Sequence, residues 1–181
     1  MRRNRMQVGI TDHKFFMEKA LDEARKALVA GEFPVGCVIV YKNNVLVTGS
    51  RAGSAGEHPN ELDHAEIVAL RNLAAMEEER NRKINRSRIK LFCTLEPCLM
   101  CLGAILLSGI GEIVYAYEDV MGGAALCDLT LFTPLYRNCE ISIVSNILRT
   151  ESLELFKSFF SDPENAYLKD SLLARYTLGQ P

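Results

Sequence analysis

Apolar residues recur at helical spacing in the opening stretch, at Phe16, Ala20, Ala24, Ala27 and Leu28, while Lys19, Asp22, Glu23, Arg25 and Lys26 fall off that stripe. The spacing predicts an amphipathic helix over 12–30, capped by Asp12 and stopped at Gly31. The period then changes. Pro34–Tyr41 and Val45–Gly49 are apolar runs joined by a tight turn at Asn43-Asn44, which predicts a β-hairpin. Residues 50–62 carry Gly, Ser, Ala and Pro without periodicity and read as a loop, long for a compact domain. Helical spacing returns at Ile67, Ala69, Leu70, Leu73 and Ala74, predicting a helix from His64 to about Arg80 with Asp63 at its cap.

Further along, 89–94 and 112–117 read as strands, 98–108 as the helix between them, 140–144 as a fifth strand and 152–160 as another helix. Strands alternating with helices predict an α/β/α arrangement with the sheet between helices. The chain has 181 residues and 48% hydrophobic content, enough for one well-buried domain and too little for two comfortable ones. We therefore expect a single domain over 1–181, with a core at about 12–160 and a helical tail over 161–181.

A net charge of −2 gives no global cationic field, so contact with nucleic acid needs a local patch. The densest basic run, Arg80 to Lys90, either contacts phosphates or is a solvated loop. No apolar run of signal-peptide length follows Met1-Arg2-Arg3-Asn4-Arg5, and no segment has membrane-spanning length. The expectation is a cytoplasmic protein with no membrane contact. Its six cysteines then stay reduced, as metal ligands or as small buried hydrophobes such as Cys37 and Cys93.

Two short motifs carry chemistry, His64-Ala65-Glu66 and Pro97-Cys98-Leu99-Met100-Cys101. Cys98 and Cys101 are three apart at the start of a helix, so both sulfurs fall on one face, and the helix N-terminus favours the thiolate. With His64 they supply three zinc ligands and leave a fourth position for water, while Glu66 is placed to move protons. Cys-x-x-Cys alone also fits half of a four-ligand zinc knuckle or a redox pair. The knuckle lacks a second pair, and the redox reading leaves His64 and Glu66 unexplained.

The two motifs in this order match the H-x-E and P-C-x-x-C signature of the zinc nucleobase deaminases. The chain resembles the cytidine and deoxycytidylate deaminase superfamily over about 13–160, and more closely the bacterial tRNA-specific adenosine deaminases. Phe33-Pro34-Val35-Gly36, His64 to Leu70, Thr94 to Cys101 with Gly103-Ala104, Ser108-Gly109-Ile110, Gly122 to Ala125 and Phe159-Phe160 carry the resemblance. It implies a three-layer α/β/α cytidine-deaminase-like fold with a central five-stranded mixed sheet, and one Zn2+ per chain on His64, Cys98 and Cys101. It also implies Glu66 as the catalytic proton shuttle, a homodimer with composite sites, and adenosine-to-inosine conversion in a tRNA anticodon loop, at the wobble position.

The chain departs from the family in three places. Arg51 follows the second strand where the family has an Asn, Asp63 precedes the metal histidine, and the tail after Phe160 is not basic. Candidate substrate contacts are Arg51, Asp63, Pro34 and Phe160. These departures keep open a free nucleobase, nucleoside or nucleotide of guanine or cytosine type as substrate. A catalytically silent scaffold is a further alternative, although it has no need of Glu66.

Overall fold

The computed structural model describes residues 2–55, 58–81 and 83–181, so Met1, Gly56 and Glu57 of the long loop, and Arg82 of the basic run lie outside it. The opening helix, α1 (Arg2–Val29), begins ten residues before the expected start. Asp12 therefore lies inside it and caps nothing. Residues 2–11 contain no proline, and the single Gly9 costs a helix only about 1 kcal/mol, so nothing in them stops propagation toward the N-terminus. Gly31, at φ 75°, ends the helix as expected. Its N–H bonds to the Leu28 carbonyl and the Glu32 N–H to that of Ala27, the paired bonds of a Schellman stop.

The hairpin follows as β1 (Gly36–Tyr41) and β2 (Asn44–Ser50). Its turn is one residue earlier than expected, at Lys42 and Asn43, both with positive φ as a type I′ turn requires. Then come α2 (Ala65–Glu79), β3 (Ile89–Leu95), α3 (Leu99–Leu107), β4 (Glu112–Tyr117), a short α4 (Pro134–Arg137), β5 (Ser142–Val144), α5 (Arg149–Ser161) and α6 (Leu172–Leu178). The sheet has five strands in the order β2-β1-β3-β4-β5. β1 is antiparallel to β2 and β3, whereas β4 is parallel to β3 and β5. The expected mixed sheet between helical layers is present.

Alternation along each strand builds the two faces. Val38, Val40, Phe92, Val114 and Ala116 pack on Phe16, Met17, Ala20 and Leu21 of α1. Cys37, Ile39, Leu91, Cys93 and Ile113 instead meet Ala69 and Leu73 of α2 and Leu102 and Ile105 of α3. Each buried Val, Leu, Ile, Phe or Met among them contributes about 1.5–3 kcal/mol relative to exposure. Phe156, Phe159 and Phe160 of α5 and Leu173 and Ala174 of α6 belong to that second cluster. Among the described residues, no helix is long and apolar enough to cross a membrane.

Gly49 lets α2 lie against β2. A Cβ there would run into the carbonyl of Ala65 and the backbone N of Ala69, both in the first turns of α2. Gly49→Ala is therefore expected to cost about 1–3 kcal/mol by overpacking and to lower the Tm by roughly 2–4 °C per kcal/mol. Because the clash falls next to His64, zinc affinity should drop as well. Thermal melting with zinc titration checks this, and a variant melting like the wild type would overturn it.

Candidate active site

Both chemical motifs sit at helix starts on one end of the sheet. β3 ends at Leu95, and Glu96-Pro97 turns the chain so that Cys98 becomes the N-cap of α3. Glu96 fixes this turn by accepting hydrogen bonds from the backbone N–H groups of Asp119 (3.3 Å) and Ala125 (3.1 Å), in the loop after β4. The Ala124 N–H closes the same loop on the Pro97 carbonyl at 2.9 Å. The site thus lies beyond the carboxyl ends of the parallel strands β3 and β4, where open α/β sheets hold their ligands.

His64, expected as the first helical residue, is instead the N-cap of α2, with extended backbone. This corrects the reading of Asp63 as cap. The Asp63 carboxylate is occupied elsewhere, paired with Arg71 and accepting from Asn60 Nδ2 at 2.7 Å.

His64 Nδ1 lies 3.6 Å from Cys98 Sγ and 3.6 Å from Cys101 Sγ. A zinc ion with Zn–S of about 2.3 Å and Zn–N of about 2.0–2.1 Å at tetrahedral angles separates such donors by about 3.6 Å. The donor set fits zinc in chemistry and in spacing, and these three residues are positioned to bind it. Hydrogen bonds donated by Cys101 and by His64 draw Cys98 down to about 4 against the effect of its burial, while Cys101 is pushed up by its bond to Cys98 and by burial.

Glu66 lies in the first turn of α2, buried at 3% exposure. Its Oε2 has no hydrogen-bond partner, and burial raises its carboxyl above the usual range. Glu66, His64 and Cys98 border a cavity of about 240 Å³ whose apolar walls include Phe33, Val35 and Leu95. The tail closes one side through Tyr167, Leu168 and Leu173.

The candidate substrate contacts fall in different places. Arg51 borders the cavity, with its side chain almost wholly buried. Asp63 is absent from the cavity wall. Pro34 is buried between Phe33 and Val35, which do border the cavity. Phe160 is not available to stack on a base, because it packs in the core against Phe33 and Phe159.

Glu61, Tyr167, Leu168 and Leu173 were missed by sequence reasoning. The contact between Arg51 and Tyr167 spans 116 positions of chain, and no local pattern encodes it.

The basic run lies at the far end of α2, whose 15 residues put it about 22 Å from His64 at 1.5 Å per residue. Arg86 is paired with Glu77, and Lys90 with Glu112. All six cysteines are free, with Cys37 and Cys93 buried in their strands as expected.

A layered sheet that gathers two cysteine sulfurs and an imidazole within reach of one ion, beside a buried carboxyl at a cavity that His64, Cys98 and Glu66 border, defines a hydrolytic zinc enzyme. The chain belongs to the cytidine and deoxycytidylate deaminase family, whose zinc-binding region matches residues 10–117.

Among its relatives, a tRNA-specific adenosine deaminase of Streptococcus pyogenes is 31% identical over 156 residues, 86% of this chain and 94% of that one. Another, from Rickettsia typhi, is 35% identical over 144 residues, 80% of this chain and 95% of that one. A solved structure from work on A-to-I editing by tRNA:A34 deaminases at the wobble position superposes with a TM-score of 0.64 at 32% identity. It covers 78% of this chain and 98% of that one. A guanine deaminase of Nitrosomonas europaea shares the fold, with a TM-score of 0.57 at 18% identity over 79% of this chain and 81% of that one.

Proposed function

We propose that this chain converts adenosine to inosine in tRNA, releasing ammonia, with His64, Cys98 and Cys101 as zinc ligands and Glu66 as the catalytic residue. The reaction rests on one observation above others, the unpartnered buried Glu66 oxygen in the cavity that the metal donors border. A buried carboxylate without a partner is costly, and it is retained where it handles protons. The tRNA substrate is supported by the likeness to tRNA-specific adenosine deaminases over nearly their whole length.

When bound, zinc supplies Lewis-acid activation of water. Glu66 accepts a proton from the attacking water and delivers it to the ring nitrogen beside the amino-bearing carbon. Once the carbon–oxygen bond has formed, Glu66 takes the remaining proton from the added hydroxyl and passes it to the amino group, so that the carbon–nitrogen bond breaks, ammonia leaves and the carbonyl product remains. The apolar walls Phe33, Val35 and Leu95 exclude bulk water from this exchange.

The cavity's size favours a second reading. At about 240 Å³ it is smaller than the roughly 300–1,000 Å³ of pockets for larger ligands, and the tail walls one side of it. That suits a free nucleobase or nucleoside of guanine or cytosine type. Ammonia release from the zinc-loaded chain, measured over an anticodon stem-loop bearing adenosine and a panel of free bases, nucleosides and nucleotides, separates the two. Turnover of the stem-loop is expected. Rapid turnover of a free base with none of the stem-loop would overturn the tRNA reading.

We also take the chain to be one domain, because α6 shares a hydrophobic cluster with the strands. A second copy would cover the exposed leucines Leu99 and Leu107 of α3, Leu131, and Leu135 of α4, whose exposures run from 58% to 84%. Sedimentation of the same preparation at the mass of one chain would overturn the dimer. This reading carries a cytoplasmic location with it.

A further inference from the structure

Among the described residues, two buried side-chain polar atoms lack a hydrogen-bond partner, Glu66 Oε2 and Arg51 Nη1. Both residues border the same cavity. Unmet hydrogen-bonding capacity concentrated in one place calls for a partner that the protein itself does not supply. Proton transfer accounts for Glu66, and nothing so far accounts for the Arg51 nitrogen.

The other terminal nitrogen of Arg51 is fully engaged. Nη2 donates to Glu61 Oε2 and to the Tyr167 hydroxyl, each at 3.2 Å, and that hydroxyl donates in turn to Glu61 Oε2 at 2.9 Å. The Arg51 backbone N–H is held by the Val35 carbonyl at 2.9 Å. This triangle joins the long loop to the tail and fixes the plane of the guanidinium. A clamp between two segments explains Nη2 and leaves Nη1 over.

Glu61 also balances the charge of Arg51. The ligand therefore need not be an anion, and a neutral ring with a lone pair in its plane satisfies the remaining N–H.

We propose that Arg51 is a specificity-determining residue, donating from Nη1 to an in-plane acceptor on the substrate base, separate from the ring nitrogen that Glu66 serves. The inference rests on the deaminase reading above. In adenine the acceptors left over are N3 and N7, and in guanine or cytosine a ring oxo group does the same. Glu61 and Tyr167 are positioning residues, acting through Arg51. A site built around such a donor discriminates against analogues lacking the acceptor, because the buried N–H is then left unpaired.

The test uses the zinc-loaded full chain and stem-loops carrying adenosine, 3-deazaadenosine or 7-deazaadenosine at the target position. One deaza substitution is expected to lower kcat/KM about 10- to 100-fold in the wild type. In Arg51→Met the parent substrate should fall by a similar factor, and the deaza penalty should disappear. Tyr167→Phe should shrink that penalty at unchanged zinc content.

The analogue series on the wild type keeps the inference testable if Arg51→Met folds poorly. Equal turnover of all three stem-loops by the wild type would overturn the inference, as would a penalty that persists in Arg51→Met. If a free base is deaminated and the stem-loop is not, the tRNA reading falls alone. The ratio is then measured on that base against its acceptor-deleted analogue, with the same criteria. Ammonia from no compound at all would overturn both.

Discussion

Glu66→Ala is expected to abolish ammonia release while the purified chain keeps its zinc. Positioned general acid–base groups contribute about 10²- to 10⁴-fold, and Glu66 serves both proton transfers of the proposed reaction, so the loss should lie at or beyond the upper end of that range. The structure separates this effect from misfolding. Glu66 is buried with one oxygen unpartnered, and removing a buried group with unmet hydrogen bonds relieves a desolvation cost rather than opening a supporting contact. The variant should therefore melt no lower than the wild type. Metal analysis, melting and an ammonia assay on one preparation are sufficient, and undiminished turnover would remove Glu66 from the mechanism.

Cys98→Ala should lose both zinc and activity. His64 Nδ1 stands 3.6 Å from each sulfur, so every ligand occupies a corner that no other described donor can fill. Loss of a direct ligand should exceed the roughly 10- to 100-fold that loss of an outer-shell partner costs. Stability should follow, because the ion ties the start of α2 to the start of α3. At free zinc a thousandfold above Kd, binding stabilises the folded state by about 4 kcal/mol, equivalent to a Tm rise of roughly 8–16 °C for a chain of this size. A chelator should lower the wild-type Tm by that amount and leave Cys98→Ala unmoved. Stoichiometric zinc in the variant would overturn the ligand assignment.

Much of the fold was legible because local chemistry agrees with its tertiary setting. The stripe of Phe16, Ala20, Ala24 and Ala27, the Gly31 stop and the apolar runs of β1, β3 and β4 each point to one structure. Errors arose where tertiary contact or propagation overrides a local cue. Asp63 looks like a cap, but Arg71 and Asn60 take its carboxylate, and His64 stands in the cap position. Asp12 looks like a helix start, yet nothing before it breaks the helix.

Within the site, the metal donors were visible because two ligands sit three apart and the third belongs to a compact motif. The wall that shapes the cavity was not. Tyr167, Leu168 and Leu173 reach it through long-range packing, and a tyrosine in a polar tail carries no periodic signal.

That wall gives the molecule two separately heritable properties. The donors and the proton path lie between His64 and Cys101, on elements packed against the sheet core, whereas one wall of the cavity lies in a segment far downstream. Drift, insertion or exchange within the last stretch of chain could readdress the enzyme to another base while leaving its reactivity intact. A lineage could acquire new substrates by editing its tail.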